Sequence, residues 1–180
     1  MASSHSARLR AVGISGSPSA TSKSRALVEY ALAQLGARGA ERALVDLASL
    51  PADALLGRRP DPEVTRALEG VGKAQIVVAG TPVYRATYTG LLKVFFDLLP
   101  QDSLMGKIAI PLVTGHGPAH SLAVDHGMRP LFASLGATVV ARAVYATSEQ
   151  FPDGTPGPAL LQAVDHAVRE ALALAGGTID

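Results

Sequence analysis

The chain has 180 residues, of which 48% are hydrophobic and 17% are charged, and its formal net charge is +1. This composition is typical of a globular protein, so we expect a single domain over residues 1–180, with flexible residues 1–7. A nearly neutral charge gives no indication of nucleic acid or a membrane as a partner. The sequence contains no cysteine, which excludes disulfides, thiolate catalysis and cysteine-ligated metals.

The first six residues are small and polar, and they lack the apolar core of a signal peptide. No apolar run is long enough to cross a bilayer. We therefore expect a soluble, cytoplasmic protein.

Short apolar runs alternate with longer helical patterns along the chain. The short runs predict five strands, at 9–14, 43–47, 75–79, 107–113 and 138–145. The longer patterns predict five helices, at 24–35, 62–72, 89–99, 119–135 and 158–175. The Pro- and Gly-rich stretch 151–158 is typical of a connector.

This alternation predicts an α/β fold, a parallel sheet with helices on both faces. Right-handed crossovers leave few arrangements, and the commonest for five strands is the flavodoxin-like three-layer sandwich with strand order 2-1-3-4-5. Ligands of such sheets bind beyond the carboxyl ends of the strands, near the switch point between strands 1 and 3. The loops after strands 1, 3 and 4 are therefore the candidates for a functional site.

The loop after the first strand, Ser15–Ser24, consists almost entirely of small and hydroxyl residues. Small residues let backbone amides approach an anion, and the helix that follows points its positive end at the same place. Lys23 adds one positive charge. The loop matches neither G-x-x-x-x-G-K-[ST] nor G-x-G-x-x-G, and it predicts either a monophosphate site or a plain capped turn.

The other two loops suit the edge of a flat heterocycle. In the second, Pro82 fixes its own backbone and restricts Thr81, and the aromatic Tyr84 follows. In the third, two glycines flank His116 and leave room for a ligand against the backbone. The alternatives are a rigid loop whose tyrosine packs locally and a histidine at the surface. The histidines lack metal-ligand spacing, and no Ser-His-Asp set or carboxylate pair is evident, so we expect no metal site and no catalytic side chain.

Together the three loops resemble the NADPH-dependent FMN reductases of the flavodoxin-like superfamily. The similarity is greatest to the branch that supplies reduced FMN to sulfonate monooxygenases. It is carried by GSPSATSKS at 16–24, GTPVYRATYTGLLKVFFDLLP at 80–100 and LVTGHGPAHSLAVDHGMRPLFASLGA at 112–137. The middle block is the most specific of the three.

This resemblance implies an NAD(P)H-dependent enzyme in which FMN takes a hydride at N5. It also implies a homo-oligomer, a tetramer or a dimer. The implied flavin contacts are Ser17, Ser22, Lys23 and Ser24 for the phosphate, Thr81, Pro82, Val83 and Tyr84 for the ribityl chain and ring, and Thr114, Gly115 and His116 for the far ring edge. Arg85 is either a ligand of a pyridine-nucleotide phosphate or a solvated surface arginine.

The segment around His126 interrupts the predicted fourth helix. Pro130 cannot donate to the carbonyl of His126, and Gly127 weakens the same turn, so the helix must bend or bulge. A π-bulge and a proline kink both remain open. The resemblance matches His126 to a tyrosine in alkanesulfonate-type relatives and to a histidine in methanesulfonate-type ones. We hypothesise that His126 lies at a subunit interface beside the flavin and controls its release.

The leading prediction is an FMN reductase that serves a separate, reduced-FMN-dependent monooxygenase. An enzyme with tightly bound FMN that reduces a quinone, an azo dye or a metal oxyanion such as chromate fits the same fold. A flavodoxin-like electron carrier fits less well, because such carriers are usually strongly acidic and this chain has 16 basic and 15 acidic residues. The residues do not distinguish NADPH from NADH.

Overall fold

The computed structural model describes residues 8–19 and 21–176, so the flexibility expected for residues 1–7 lies outside it. Within the described residues, one parallel sheet contains six strands, with β6 pairing with β4 beyond the end of β5. The strands are β1 Arg10–Ser15, β2 Glu41–Asp46, β3 Ile76–Pro82, β4 Ile108–Gly115, β5 Thr138–Val139 and β6 Val144–Thr147. Their order, β2-β1-β3-β4-β5, confirms the predicted order and adds a strand.

Helices cover both faces of this sheet and complete the predicted three layers. One face carries α1 Lys23–Ala37 and α6 Pro158–Leu174, and the other carries α2 Ala52–Leu55, α3 Pro62–Lys73, α4 Gly90–Asp97 and α5 Arg129–Ala133. The short helix α2 was not predicted. In the part of the chain that the structure describes, no helix is both long and apolar enough to span a membrane.

The apolar run of β3 lies between two hydrophobic cores, one on each face of the sheet, and contributes side chains to both. Ile76 and Val78 pack among the side chains of α1 and α6, whereas Val77 and Ala79 pack on the opposite face. All four are fully buried, as expected for a strand covered on both sides. The loop that follows β3 therefore starts from a rigid position.

The predicted fifth strand is instead two short strands, β5 and β6, because the chain leaves the sheet between them. The Glu170 carboxylate accepts the N–H groups of Ala141 and Arg142 at 2.5 and 3.1 Å. The Arg129 guanidinium donates to the carbonyls of Val140 and Ala141 at 2.9 and 2.7 Å. These side chains satisfy backbone groups of residues 140–142 between the two short strands.

The predicted fourth helix is also interrupted, by a π-helix at Val124–Met128. The Arg129 N–H donates to the Val124 carbonyl, five residues back, and α5 follows directly. Because Pro130 has no N–H to donate, the regular α-helical bond to His126 cannot form. Of the two forms that the sequence left open, the structure has the π form.

Candidate functional site

The loops after β1, β3 and β4 all leave the sheet at the carboxyl-terminal ends of the strands, because these three strands are adjacent and parallel. Two backbone hydrogen bonds join the loops to one another. The Gly16 N–H donates to the Gly80 carbonyl at 2.8 Å, and the Val83 N–H donates to the Thr114 carbonyl at 2.8 Å. The structure therefore brings the three predicted groups of site residues to the same end of the sheet.

The first loop presents hydrogen-bond donors at the start of α1. Ser22 is the N-cap residue, but its side chain does not cap the helix, and its Oγ lies 2.8 Å from Ser24 Oγ. The first turn contains no acidic residue. Its backbone N–H groups, which have no partner within the helix, are therefore available to an anion beside the ammonium group of Lys23.

Close packing fixes the backbone of this loop. A Cβ added at Gly16 would lie 2.9 Å from the side chain of Leu92, and one added at Gly80 would lie 2.7 Å from the Ser24 carbonyl oxygen. Ser17 and Ser24 are themselves buried. Bulky residues at these two serines would disturb packing as well as ligand binding.

The second loop folds into a two-residue hairpin. Tyr84 and Thr87 exchange backbone hydrogen bonds of 2.9 and 3.4 Å, and between them Arg85 and Ala86 have φ values of 51° and 72°. Positive φ at both central positions is typical of a type I′ turn, which favours Asn and Gly. Arg85 and Ala86 are therefore strained, as residues of functional loops often are. Thr81, below the hairpin, is fully buried, whereas Tyr84 is 51% exposed.

The third loop is held by Tyr145 of β6, which the sequence analysis did not place in the site. The Tyr145 hydroxyl donates to the Gly117 carbonyl at 2.6 Å, and a Cβ at Gly115 would overlap that hydroxyl. A phenol is a donor at neutral pH, and burial raises the pKa of the Tyr145 phenol further. Of the predicted ligands here, Thr114 is buried and His116 is exposed.

Thr89 is the second residue that the sequence analysis missed. The sequence pattern predicts it as the first residue of a helix, but it is the N-cap of α4, where its Oγ1 accepts the Leu92 N–H at 3.1 Å. The same hydroxyl donates to the Gly16 carbonyl at 2.5 Å, and the Thr89 N–H donates to Thr81 Oγ1 at 3.1 Å. Threonine before an apolar helical pattern is an N-cap signal, but the pattern does not reveal a partner in another loop.

The π-helix packs against the second loop through Gly127. A Cβ at Gly127 would lie 2.6 Å from Thr87 Oγ1 and 3.3 Å from the Tyr88 ring. The neighbouring His126 is exposed. Its proposed role at a subunit interface stays a prediction.

The residues at this edge of the sheet fit a flavin mononucleotide. The donors and positive charge at the start of α1 suit a phosphate, and the rigid backbones of the other two loops suit the edge of a planar ring. Within residues 8–19 and 21–176, no group of three or more histidine, aspartate or glutamate side chains is placed to hold a metal ion.

Comparison with known proteins identifies the family of the chain. A family model described as NADPH-dependent FMN reductase matches residues 9–152, which include all three loops. The chain belongs to this family. This FMN reductase is 37% identical to an "FMN reductase (NADPH)" of Pseudomonas putida, over 84% of its own chain and 78% of the relative.

Two further comparisons agree. The FMN reductase is 34% identical to "NADH-dependent FMN reductase SfnF" of Pseudomonas fluorescens, over 81% of its own chain and 80% of that relative. It is 37% identical to an apo crystal structure of "NADH:FMN oxidoreductase (EMOB)", with a TM-score of 0.84 and coverage of 92% of this chain and 89% of the other. The flavodoxin-like fold and the FMN reductase family are thereby confirmed.

Family membership makes the protein an oxidoreductase that uses FMN and a nicotinamide nucleotide. The predicted enzyme class and cofactors are therefore confirmed. The individual flavin-contacting residues remain predictions, which the structure gathers at one edge of the sheet.

Proposed function

We propose that this FMN reductase passes a hydride from NADPH or NADH to FMN and releases the reduced flavin to a separate monooxygenase. The observation that carries this proposal is a gradient of exposure across the site. Ser17 and Ser24, at the phosphate end, are buried, whereas Tyr84 and His116, at the ring end, are exposed. A flavin held mainly by its phosphate leaves its ring accessible to a nucleotide and is free to dissociate.

The residues of this chain bind and orient the reactants. Donors of the first loop would hold the phosphate, the hairpin loop would hold the ribityl chain and one ring edge, and the third loop would line the far edge. When bound, FMN supplies the hydride-accepting N5, so the protein needs no general acid or base. The proposed contacts are Ser17, Ser22, Lys23 and Ser24, then Thr81, Pro82, Val83 and Tyr84, and then Thr114, Gly115 and His116.

We assign the partner to the monooxygenases that oxidise sulfonates with reduced FMN. This assignment rests on the sequence blocks at 16–24, 80–100 and 112–137, which resemble the corresponding branch of the family. A relative named as an NADH-dependent FMN reductase and another named as an NADPH enzyme support either nucleotide as the reductant.

The activity is tested by following NADPH and NADH oxidation with purified protein while FMN is titrated. We expect a rate that saturates with added FMN, and protein that loses most of its FMN on gel filtration. Turnover that requires a quinone, with FMN retained through gel filtration, would overturn the proposal in favour of a quinone, azo or chromate reductase. No turnover with either acceptor would point to an electron carrier.

The partner is tested by adding a flavin-dependent sulfonate monooxygenase and a sulfonate substrate. We expect sulfite release that depends on the reductase, FMN and reduced nucleotide together. Sulfite release at the same rate without the reductase would contradict the assignment.

We also propose a homo-oligomer, a dimer or a tetramer, with His126 at an interface. His126 and Leu122, one turn earlier, are both exposed, and Leu122 is 60% exposed. The proposal rests on the family resemblance at 112–137 and on the accessibility of these two side chains. His126→Ala should change the oligomer size or the FMN affinity, whereas the control His166→Ala on α6 should not. Wild-type size and affinity in His126→Ala would contradict the proposal.

A further inference from the structure

We propose that Thr89 is a positioning residue for the FMN phosphate. It holds the Gly16 carbonyl and so directs the Ser17 N–H toward the start of α1. The inference rests on the phosphate site proposed above and adds a residue that is not among the proposed flavin contacts.

Thr89 joins three parts of the site through three hydrogen bonds. Its hydroxyl donates to the Gly16 carbonyl at 2.5 Å in the first loop, and its N–H donates to Thr81 Oγ1 at 3.1 Å in the second. Its Oγ1 also accepts the Leu92 N–H and caps α4. Thr89 is only 2% exposed, so water does not compete for these bonds.

The bond to Gly16 sets the direction of the next amide. In a trans peptide the carbonyl and the following N–H point in opposite directions. Thr89 at the start of α4 draws the Gly16 carbonyl toward one face of the sheet, which turns the Ser17 N–H toward the other face, where α1 begins. The amides of that first turn and Lys23 lie there.

The Ser17 N–H is a donor without an internal partner. Ser17 is 2% exposed, and its N–H forms no hydrogen bond with any of the described residues. Buried backbone donors are rarely left unpaired, so this one indicates a ligand. The bond from the Gly16 N–H to Gly80 holds one side of this residue, and the Thr89 hydroxyl on its carbonyl fixes the orientation of the peptide that leads to Ser17.

Two substitutions separate the hydroxyl from the shape of the side chain. Thr89→Val keeps the branched shape and removes the hydroxyl, whereas Thr89→Ser keeps the hydroxyl. The dissociation constants of FMN and of riboflavin, which lacks the phosphate, are measured by flavin fluorescence without nucleotide. Thermal unfolding of the flavin-free proteins is measured alongside, because Val also removes the cap of α4.

We expect Thr89→Val to weaken FMN binding about tenfold and riboflavin binding less than about threefold. The Gly16 carbonyl loses its donor in this variant, so the Ser17 N–H is no longer directed at the phosphate, and riboflavin has no phosphate to lose that contact. Thr89→Ser should restore the wild-type ratio of the two constants. If Thr89→Val does not fold, Thr89→Ala, which needs no additional space, carries the same expectation.

An equal change for both flavins would overturn the proposal and leave Thr89 a purely structural cap. Wild-type affinity for FMN in the hydroxyl-free variant would also overturn it. Turnover is not measured in this experiment, so a failure of the proposed reductase activity would be seen separately, in the wild-type assay with NADPH and NADH.

Discussion

Tyr145 shows what a single side chain contributes to this site. It lies on β6, outside the three loops, yet its hydroxyl holds the Gly117 carbonyl and fills the space beside Gly115. A tyrosine phenol is protonated in the neutral range, and burial raises the pKa of Tyr145 further, so the hydrogen bond persists into more alkaline solution. The loop that carries His116 is therefore held by a neutral donor rather than by a charge.

This bond predicts a pH dependence of stability. The unfolded chain loses the phenol proton near pH 10, whereas the folded protein keeps it to higher pH, so the free energy of unfolding should fall as the pH rises above about 10. Tyr145→Phe should reduce that fall and lower the free energy of unfolding by about 1 kcal/mol at pH 7. Urea denaturation between pH 7 and 11 measures both.

Tyr30, whose pKa burial and Asp165 also raise, should keep part of the pH dependence in Tyr145→Phe. The control Tyr84→Phe, at an exposed position, should match the wild-type free energy at pH 7. An unchanged pH dependence in Tyr145→Phe would contradict the role given to this phenol.

Lys23 is the charge of the proposed phosphate site, and its removal should act on FMN alone. Lys23→Ala should weaken FMN binding about tenfold, the effect of losing one charge-assisted hydrogen bond, and leave riboflavin binding unchanged. Titration of both flavins by fluorescence measures this. The control Lys73→Ala removes the same charge from the exposed end of α3 and should change neither constant. Equal losses for FMN and riboflavin would contradict a phosphate contact.

At the scale of elements, the π-helix packs directly against the hairpin loop after β3 and is not an isolated irregularity. Gly127 allows its backbone to approach Thr87 and Tyr88 closely. Thr87 in turn closes the strained hairpin with Tyr84. The conformation of the hairpin and that of the π-helix are therefore coupled by contact.

Gly127→Ala should displace this hairpin, because its Cβ would lie 2.6 Å from Thr87 Oγ1. Affinity for FMN and for riboflavin should fall together by several-fold, in contrast to the phosphate-selective effect at Lys23. The control is Gly70→Ala in α3, where a Cβ meets nothing within 4 Å and alanine should stabilise by about 0.5–1 kcal/mol. Wild-type flavin affinity in Gly127→Ala would show that contact with the π-helix does not position the hairpin loop for flavin binding.

At the scale of the whole molecule, two cores hold the site from both faces of the sheet. Leu92, beneath Gly16, belongs to the core of α3 and α4, whereas Val28, beside Gly80, belongs to that of α1 and α6. A flavin that binds at the carboxyl ends of the strands, between the two cores, should therefore stabilise the whole domain against unfolding.

FMN at about 100 times its dissociation constant should raise the free energy of unfolding by about 2.7 kcal/mol, because it binds only the folded protein. Riboflavin at the same concentration should give a smaller increase, since it lacks the phosphate. Thermal unfolding with increasing flavin measures the shift. Equal shifts for both flavins would contradict a site anchored by the phosphate.

Most of the fold could be predicted from the sequence, because the signals that define it are local. The apolar run of β3 and the caps of the helices depend on neighbours two to four residues away. The break in the helix at His126 was predicted from Gly127 and Pro130, and the structure shows that it takes the π form. The predicted strand across Ala141 was wrong, because side chains of Arg129 and Glu170 hold that backbone instead.

The sequence by itself determined the strand order, the three loops at the carboxyl end of the sheet and the family to which they belong. Only the tertiary structure decided how those loops are held. Thr89 bonds Gly16 across 73 residues of chain, and Tyr145 bonds Gly117 across 28. Such bonds depend on which strands become neighbours and on the close packing at Gly16 and Gly127, and no periodicity along the chain carries that information.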